Sequence, residues 1–449
     1  MTPVWRGDRV QRATVPVPVD HRHPRGATLD LAVVRYRADP ARRHGVLVVC
    51  PDDPGSSGTA LAARLADLLP RVVTERFDLV GFDHRFSGAS APLTADLTDD
   101  EVLWAFHRPE SFAAEVRFQR ALVDKCFPRH AAVLPHLTSR NIARDVDVVR
   151  AALGADRISL LGHNYGGYIA LVYAHMFGPR TDRVVVDSVL DPDWVWRGLF
   201  RAVAAGAEAG LDRWARWCAA TGRIARTPDR VRAYAERLWE LGSAAIGPVP
   251  VTGALLRMIT VVLLRADRTY GVLADVLAAA AGDAEPEPAA VAELGALFGT
   301  PKPRSAGVAH LAILSGECPW PRDLAVYRAD LEAARGTLVG EAMAGPKPGA
   351  FWPVPPLEPA TAIGGPAEVL LVQSEHDPFT PASGARHVRE LLPRSRLVLA
   401  EDLAHHRVFP FSGHGGVTRA VTDYLVSGRL PDNDLSIAEA TPWTSTTSS

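Results

Sequence analysis

The stretch Ile158-Ser-Leu-Leu-Gly-His-Asn-Tyr-Gly-Gly167 decides the fold. A short apolar run meets a glycine, turns, and leaves through a second glycine into a helical pattern. Gly162-His-Asn-Tyr-Gly166 has the G-x-S-x-G spacing of a nucleophile elbow, with Asn164 where that motif has serine. The glycines let a strand turn sharply into a helix and lift residue 164 above the sheet edge. Asparagine is expected to tolerate that strained position because it visits the left-handed region readily. A lone G-x-N-x-G is ordinarily only a turn, so the weight lies in the strand ends further along the chain.

Two of those strand ends carry the other groups. Val369-Leu-Leu-Val-Gln-Ser-Glu-His-Asp377 ends in an acid, and Leu397-Val-Leu-Ala-Glu-Asp-Leu-Ala-His405 ends in a histidine. The order of elbow, acid and histidine along the chain is that of an elbow-type triad. In that logic Asp377 orients and stabilises the His405 imidazole. His163 and Tyr165 flank the elbow and, with Trp194 and Trp196, are the candidate substrate contacts. An asparagine amide cannot be deprotonated into a nucleophile near neutral pH, so the pattern speaks for the fold and against serine chemistry.

Around the elbow, apolar runs at 29–34, 46–50, 77–82, 158–161, 184–187, 369–373 and 397–399 read as buried parallel strands. Helical periodicity separates them at 139–153, 165–177, 383–392 and 417–426. Alternation of this kind gives a doubly wound, mostly parallel α/β sheet. It stops between about 191 and 354, a stretch rich in Ala, Leu, Arg and Trp without a strand signal. The domain reading is therefore a discontinuous core, 1–190 and 355–430, a helical cap at 191–354 and a flexible tail at 431–449. Pro-, Gly- and Ala-rich segments at 282–289, 299–307 and 345–359 flank or interrupt the cap.

The 449 residues suit a large core with an insertion. A net charge of −2 favours neither nucleic acid nor an anionic membrane as partner. No apolar run is long enough to span a bilayer, and the N-terminus has no signal-like apolar core. The four cysteines are scattered and show no metal-binding spacing. These features lead to the expectation of a cytoplasmic protein acting on a small molecule, without metal or cofactor. Asp20-His21-Arg22-His23 reads as a solvated turn. Oligomeric state is not legible.

Beyond this, the chain resembles the tripeptidyl-aminopeptidase-like branch of the α/β hydrolases, found in actinomycetes and related to proline iminopeptidases. The residues that carry the resemblance are Ala13-Thr-Val-Pro-Val-Pro-Val-Asp-His21, Gly81-Phe-Asp-His-Arg85 and Asn141-Ile-Ala-Arg-Asp-Val-Asp-Val-Val-Arg-Ala-Ala-Leu-Gly154. Tyr165-Gly-Gly-Tyr168, Val186-Asp-Ser-Val-Leu-Asp-Pro192, Trp320-Pro-Arg-Asp323 and Asp377-Pro-Phe-Thr-Pro381 add to it. The resemblance covers roughly 13–193 and 354–425 with a piece of the cap. It implies an α/β-hydrolase fold and a Ser–Asp–His peptidase or esterase acting at a free N-terminus, with Asp377 and His405 on the acid and base and Asn164 on the serine.

A second departure accompanies the first. The family's oxyanion loop reads Pro-Gly-Gly-Pro-Gly; here Cys50-Pro-Asp-Asp-Pro-Gly55 puts Asp52 and Asp53 on the glycine pair. Carboxylates there repel a developing oxyanion and strain a loop built for glycine. Asp83-His84-Arg85 reads as structural support for that loop. Together these departures point to a repurposed enzyme in secondary metabolism. Asn164, Asp52, Asp53, Asp377 and His405 would do acid–base work on a small molecule: cyclisation, isomerisation, elimination or ring opening. Two alternatives stand beside it. One is an inactive homologue that binds or scaffolds. The other is a hydrolase with another nucleophile, such as Ser56, Ser57 or a deamidated Asn164.

Overall fold

The computed structural model describes residues 4–107, 110–240, 243–246, 249–298, 304–337 and 340–438. Nine strands form one sheet: β1 Val10–Pro18, β2 Thr28–Tyr36, β3 Gly45–Cys50, β4 Phe77–Phe82, β5 Ile158–Asn164, β6 Thr181–Val189, β9 Leu370–Ser374, β10 Arg396–Ala400 and β11 Leu435–Ile437. A small hairpin, β7 Ser243–Ile246 and β8 Val249–Thr252, lies in the inserted segment. The sheet order is β1-β2-β4-β3-β5-β6-β9-β10-β11. From β4 to β11 every pairing is parallel, while β2 runs antiparallel to both β1 and β4.

The central strands are continuous apolar runs because helices cover both faces. All of β4 and nearly all of β3 and β5 are buried. The helix Ser139–Ala152 shows how one flank is made. Thr138 caps its first turn by accepting from the Asn141 N–H at 3.3 Å, and Ile142, Val146 and Val149 form its buried stripe. It packs on the helix Tyr165–Met176, which is apolar almost all round and sits in the middle of the molecule. Leu61 and Leu65 of the helix Gly58–Leu68, with Val417 and Val421 of Gly415–Ser427, cover the opposite face.

Four expectations need correction. The run at 29–34 is an antiparallel strand, not a parallel one. Its partner β1 was not read as a strand, since Pro16 and Pro18 confine such a segment to a sheet edge, which is where it lies. The insertion contains the β7–β8 hairpin besides its helices. Finally, 431–449 is not all tail: Leu435–Ile437 pairs with β10, and residues 439–449 lie outside the described part. Part of the 299–307 segment, residues 299–303, also lies outside it.

The inserted segment joins β6 to β9 and includes the helices Arg197–Thr221, Pro228–Glu240, Gly253–Leu264 and Tyr270–Ala281. Trp214 and Trp239 are buried within it, and Trp214 Nε1–H donates to the Tyr270 carbonyl at 3.1 Å. Among the described residues no helix is long and apolar enough to cross a membrane.

Candidate active site

The elbow forms as its glycines require. A Cβ on Gly162 would lie 2.2 Å from the Gly166 carbonyl oxygen, and one on Gly166 2.5 Å from that of Cys50. Only glycine lets the strand, the helix start and the neighbouring loop approach so closely. Asn164 ends β5 with φ 49° and ψ −119°. That ψ lies outside the left-handed helical well, so asparagine's liking for that well does not explain its presence. The position is strained for any side chain, at about 1–3 kcal/mol.

The acid–imidazole pair is present, with a different histidine from the one expected. Asp377 accepts from His406 Nδ1 at 2.9 Å, from the Phe379 and Thr380 N–H groups at 2.8 and 3.0 Å, and from Thr380 Oγ1 at 2.8 Å. Burial alone would raise the Asp377 carboxyl; facing His406 and these donors, it lies below the usual carboxylate range. His405 is turned away. Its Nδ1–H donates to the His406 carbonyl at 2.9 Å, its own carbonyl accepts from Ser374 Oγ at 2.8 Å, and burial beside Arg268 pushes its imidazole down to about 4. His405 pins the loop, and His406 holds the base position. The doublet His405-His406 was the available signal, but sequence alone gives no register for a loop.

The oxyanion-loop side is occupied by its own residues. Asp52 forms an ion pair with Arg407, a residue that the sequence reading missed. Burial disfavours the Asp52 carboxylate, but the Arg407 guanidinium beside it keeps the carboxyl below its ordinary value. Asp53 accepts from Asn164 Nδ2 at 3.3 Å. The Tyr165 backbone N–H donates to the Asp52 carbonyl at 3.2 Å. That N–H, immediately after the elbow residue, is the donor an elbow enzyme aims at its oxyanion. Here a protein carbonyl takes it.

The loop is held from below. Asp83 accepts from Ser57 Oγ, Thr59 N–H and Thr59 Oγ1 at 2.8, 3.1 and 2.9 Å. His84 Nδ1 accepts from Gly55 N–H at 3.3 Å, which requires the neutral ring that burial imposes by lowering it to about 4. Arg85 makes a buried two-pronged pair with Asp145, both contacts at 2.7 Å.

The four expected substrate contacts divide. His163 is fully buried, its Nε2 at 2.7 Å from the Phe409 carbonyl, and burial lowers it to about 4. Tyr165 is buried with its hydroxyl 3.0 Å from Ser139 Oγ and its ring 5.6 Å from that of Trp196. These two are packing supports and not pocket walls. Trp194 and Trp196 do line a cavity of about 400 Å³, with Arg197, Arg201, Cys318 and Trp320. Asp20 pairs with Arg22 and His23, as befits a turn. Asp191, Asp193 and His387 bring ligand-type atoms within 4.8 Å of one another, but His387 Nδ1 is already bonded to Asp191 at 2.9 Å.

Residues 46–240 match the α/β hydrolase fold profile, and 339–437 match that of the TAP-like protein family. The tripeptidyl aminopeptidase of Streptomyces lividans is 31% identical over 96% of this chain and 84% of its own length. The chain belongs to the α/β-hydrolase superfamily and carries its TAP-like domain. This α/β hydrolase is also similar to the serine protease Hip1 of Mycobacterium tuberculosis, 28% identical over 92% of this chain and 85% of that one. Among solved structures, the proline iminopeptidase of Mycobacterium smegmatis aligns over 92% of this chain and 98% of its own at a TM-score of 0.41 and 16% identity.

Proposed function

We propose that this α/β hydrolase has left serine-type acyl transfer and uses the Asp377–His406 pair for acid–base chemistry on a small molecule. One observation carries the proposal. The proton-moving pair is assembled, while the oxyanion donor Tyr165 N–H is bonded to Asp52 and the elbow presents an amide. Peptidase activity, which the names of its relatives describe, needs a nucleophile and an anion hole. Isomerisation, elimination or cyclisation needs a base, an acid and a held substrate. His406 is the proposed base and Asp377 its orienting partner. Asn164 supplies an amide for a substrate oxygen, and the cavity lined by Trp194 and Trp196 is the proposed seat of a ring-bearing part of the substrate. Asp52 acts through Arg407, holding the loop rather than touching substrate.

The ester route through a deamidated Asn164 has little support. The Tyr165 nitrogen that would have to attack the Asn164 amide is committed to the helix start and to Asp52. The test is to incubate wild type and His406→Gln with metabolite extract of an actinomycete and follow masses. A chromogenic ester and an aminoacyl anilide run alongside. A product of unchanged or dehydrated mass that needs His406 supports the proposal. Cleavage of the ester or anilide that needs His406 refutes it in favour of hydrolysis, and binding without turnover refutes it in favour of an inactive homologue.

A further inference from the structure

Arginines from three separate elements converge on the histidine loop. Arg407 belongs to the loop itself. Arg64 lies on the helix that follows the oxyanion loop, and both guanidinium groups sit on the Phe411 ring, at 4.8 Å for Arg64 and 5.2 Å for Arg407. Arg265 and Arg268 come from the inserted segment, which is stitched to the loop by backbone. The Arg265 carbonyl accepts from His406 N–H at 2.7 Å, Ala266 bridges to His405, and Asp267 N–H donates to the Ala404 carbonyl at 2.9 Å.

These charges crowd one another with little compensation. Arg407 has Asp52 as partner, but among the described residues Arg64, Arg265 and Arg268 make no ion pair. Asp52 and Glu293 face Arg64, and Glu293 faces Arg265, but they do not cancel burial and the repulsion, and both guanidinium groups stay below their ordinary value. Burial first, and then Arg407 and Arg268, push the Arg265 guanidinium down to about 10. A protein gains nothing in stability from gathering like charges in one place. An anion arriving there would relieve the repulsion and gain charge-assisted hydrogen bonds. The same field repels the ammonium of a peptide N-terminus.

We infer that Arg64, Arg265 and Arg268 form a receptor for the oxyanion group of a small-molecule substrate, a carboxylate or a phosphate, beside His406. The inference rests on the Asp377–His406 pair being where the substrate reacts. It deepens that reading by giving the substrate a negative charge. Arg407, tied to Asp52, forms the inner edge of the receptor. The exposed Arg64 and Arg268 give access.

The probes are inorganic phosphate and citrate, titrated calorimetrically into the full chain at matched ionic strength, with chloride as control. Saturable binding of either, weakened at least about tenfold in Arg64→Gln/Arg268→Gln, supports the receptor. Preference for one probe assigns the group as phosphate or carboxylate and supports it equally. Both substitutions are at exposed positions and leave the fold intact, so equal binding by the double variant overturns the inference. No saturable binding up to about 10 mM does so too. His406→Gln separates the two proposals. Anion binding retained there, with no His406-dependent turnover on any extract, sinks the proposed reaction alone. Turnover that needs His406, with no anion binding, sinks the receptor alone.

Discussion

The two sides of the cleft have fared differently. On the Asp377–His406 side, a carboxylate fixed by three other donors holds an imidazole, the arrangement an α/β hydrolase uses to move a proton. On the Asp52–Asn164 side, the loop that would hold an acyl oxyanion is bonded to itself: Asp52 to Arg407, Asp53 to Asn164, and the Asp52 carbonyl to Tyr165 N–H. Proton transfer and oxyanion binding are separable functions of one fold. On the proposed reading the first is kept without the second.

The largest expected effect separates the two histidines. His406→Gln should lower turnover of the native substrate by about 10²–10⁴-fold, the usual worth of a positioned acid or base. His405→Gln should leave kcat within a few-fold, because His405 only pins the loop. Steady-state kinetics of the pair decides it; equal losses would mean that the cleft does not use the Asp377–His406 geometry.

Next in size is the anchoring of the loop from below. Arg85→Ala leaves the buried Asp145 carboxylate to the His21 imidazole, at 2.8 Å, and should cost up to about 3–5 kcal/mol in urea unfolding. Asp52→Asn keeps an oxygen acceptor for the mostly buried Arg407, which Asp53 also faces, and should cost less, about 1–3 kcal/mol. If the two losses were equal, the loop would be held from the cleft side and not by the Asp83–Arg85 segment.

A smaller effect is read through pH. Glu317 is buried under the elbow helix, where it accepts from the Ser139 N–H at 2.6 Å. Burial outweighs that bond and raises it from 4.5 to about 7. The native state therefore binds more protons than the unfolded chain between those values, and stability falls as pH rises through that window. The loss saturates above about 7 at up to about 3 kcal/mol. Glu317→Gln keeps an acceptor for Ser139 and should flatten the urea midpoint between pH 4.5 and 7. An unchanged slope would show that Glu317 is ionised in the fold.

Much of the fold and part of the site were legible in the sequence. The elbow, the strand ends and their order rest on glycine spacing and apolar runs, which depend on local sequence. The His405–His406 register was not legible. It depends on turns at Asp402 and Arg407, both at positive φ, and on the bridge from Ala266 of the inserted segment. Arg407 was missed because its partner lies far off in sequence. His163 and Tyr165 looked like site residues because they border the elbow. A residue beside an exposed strand end points back into the core, so adjacency misled.

The comparison breaks or holds on the smallest expected effect. Asn164→Ser restores the elbow hydroxyl, yet Tyr165 N–H stays bonded to the Asp52 carbonyl and both carboxylates stay on the loop. A missing oxyanion donor alone costs about 10²–10³ in rate, so the single variant should hydrolyse a chromogenic ester within about threefold of background. Adding Asp52→Gly and Asp53→Gly removes both carboxylates and the hold of Arg407 on the loop, letting its backbone move off Tyr165 N–H, and should raise that rate by about 10²-fold or more. Efficient ester or peptide cleavage by Asn164→Ser alone would mean that the loop still binds oxyanions. The acyl-transfer side of the cleft would then be one substitution from activity, and the repurposing would rest on Asn164 alone.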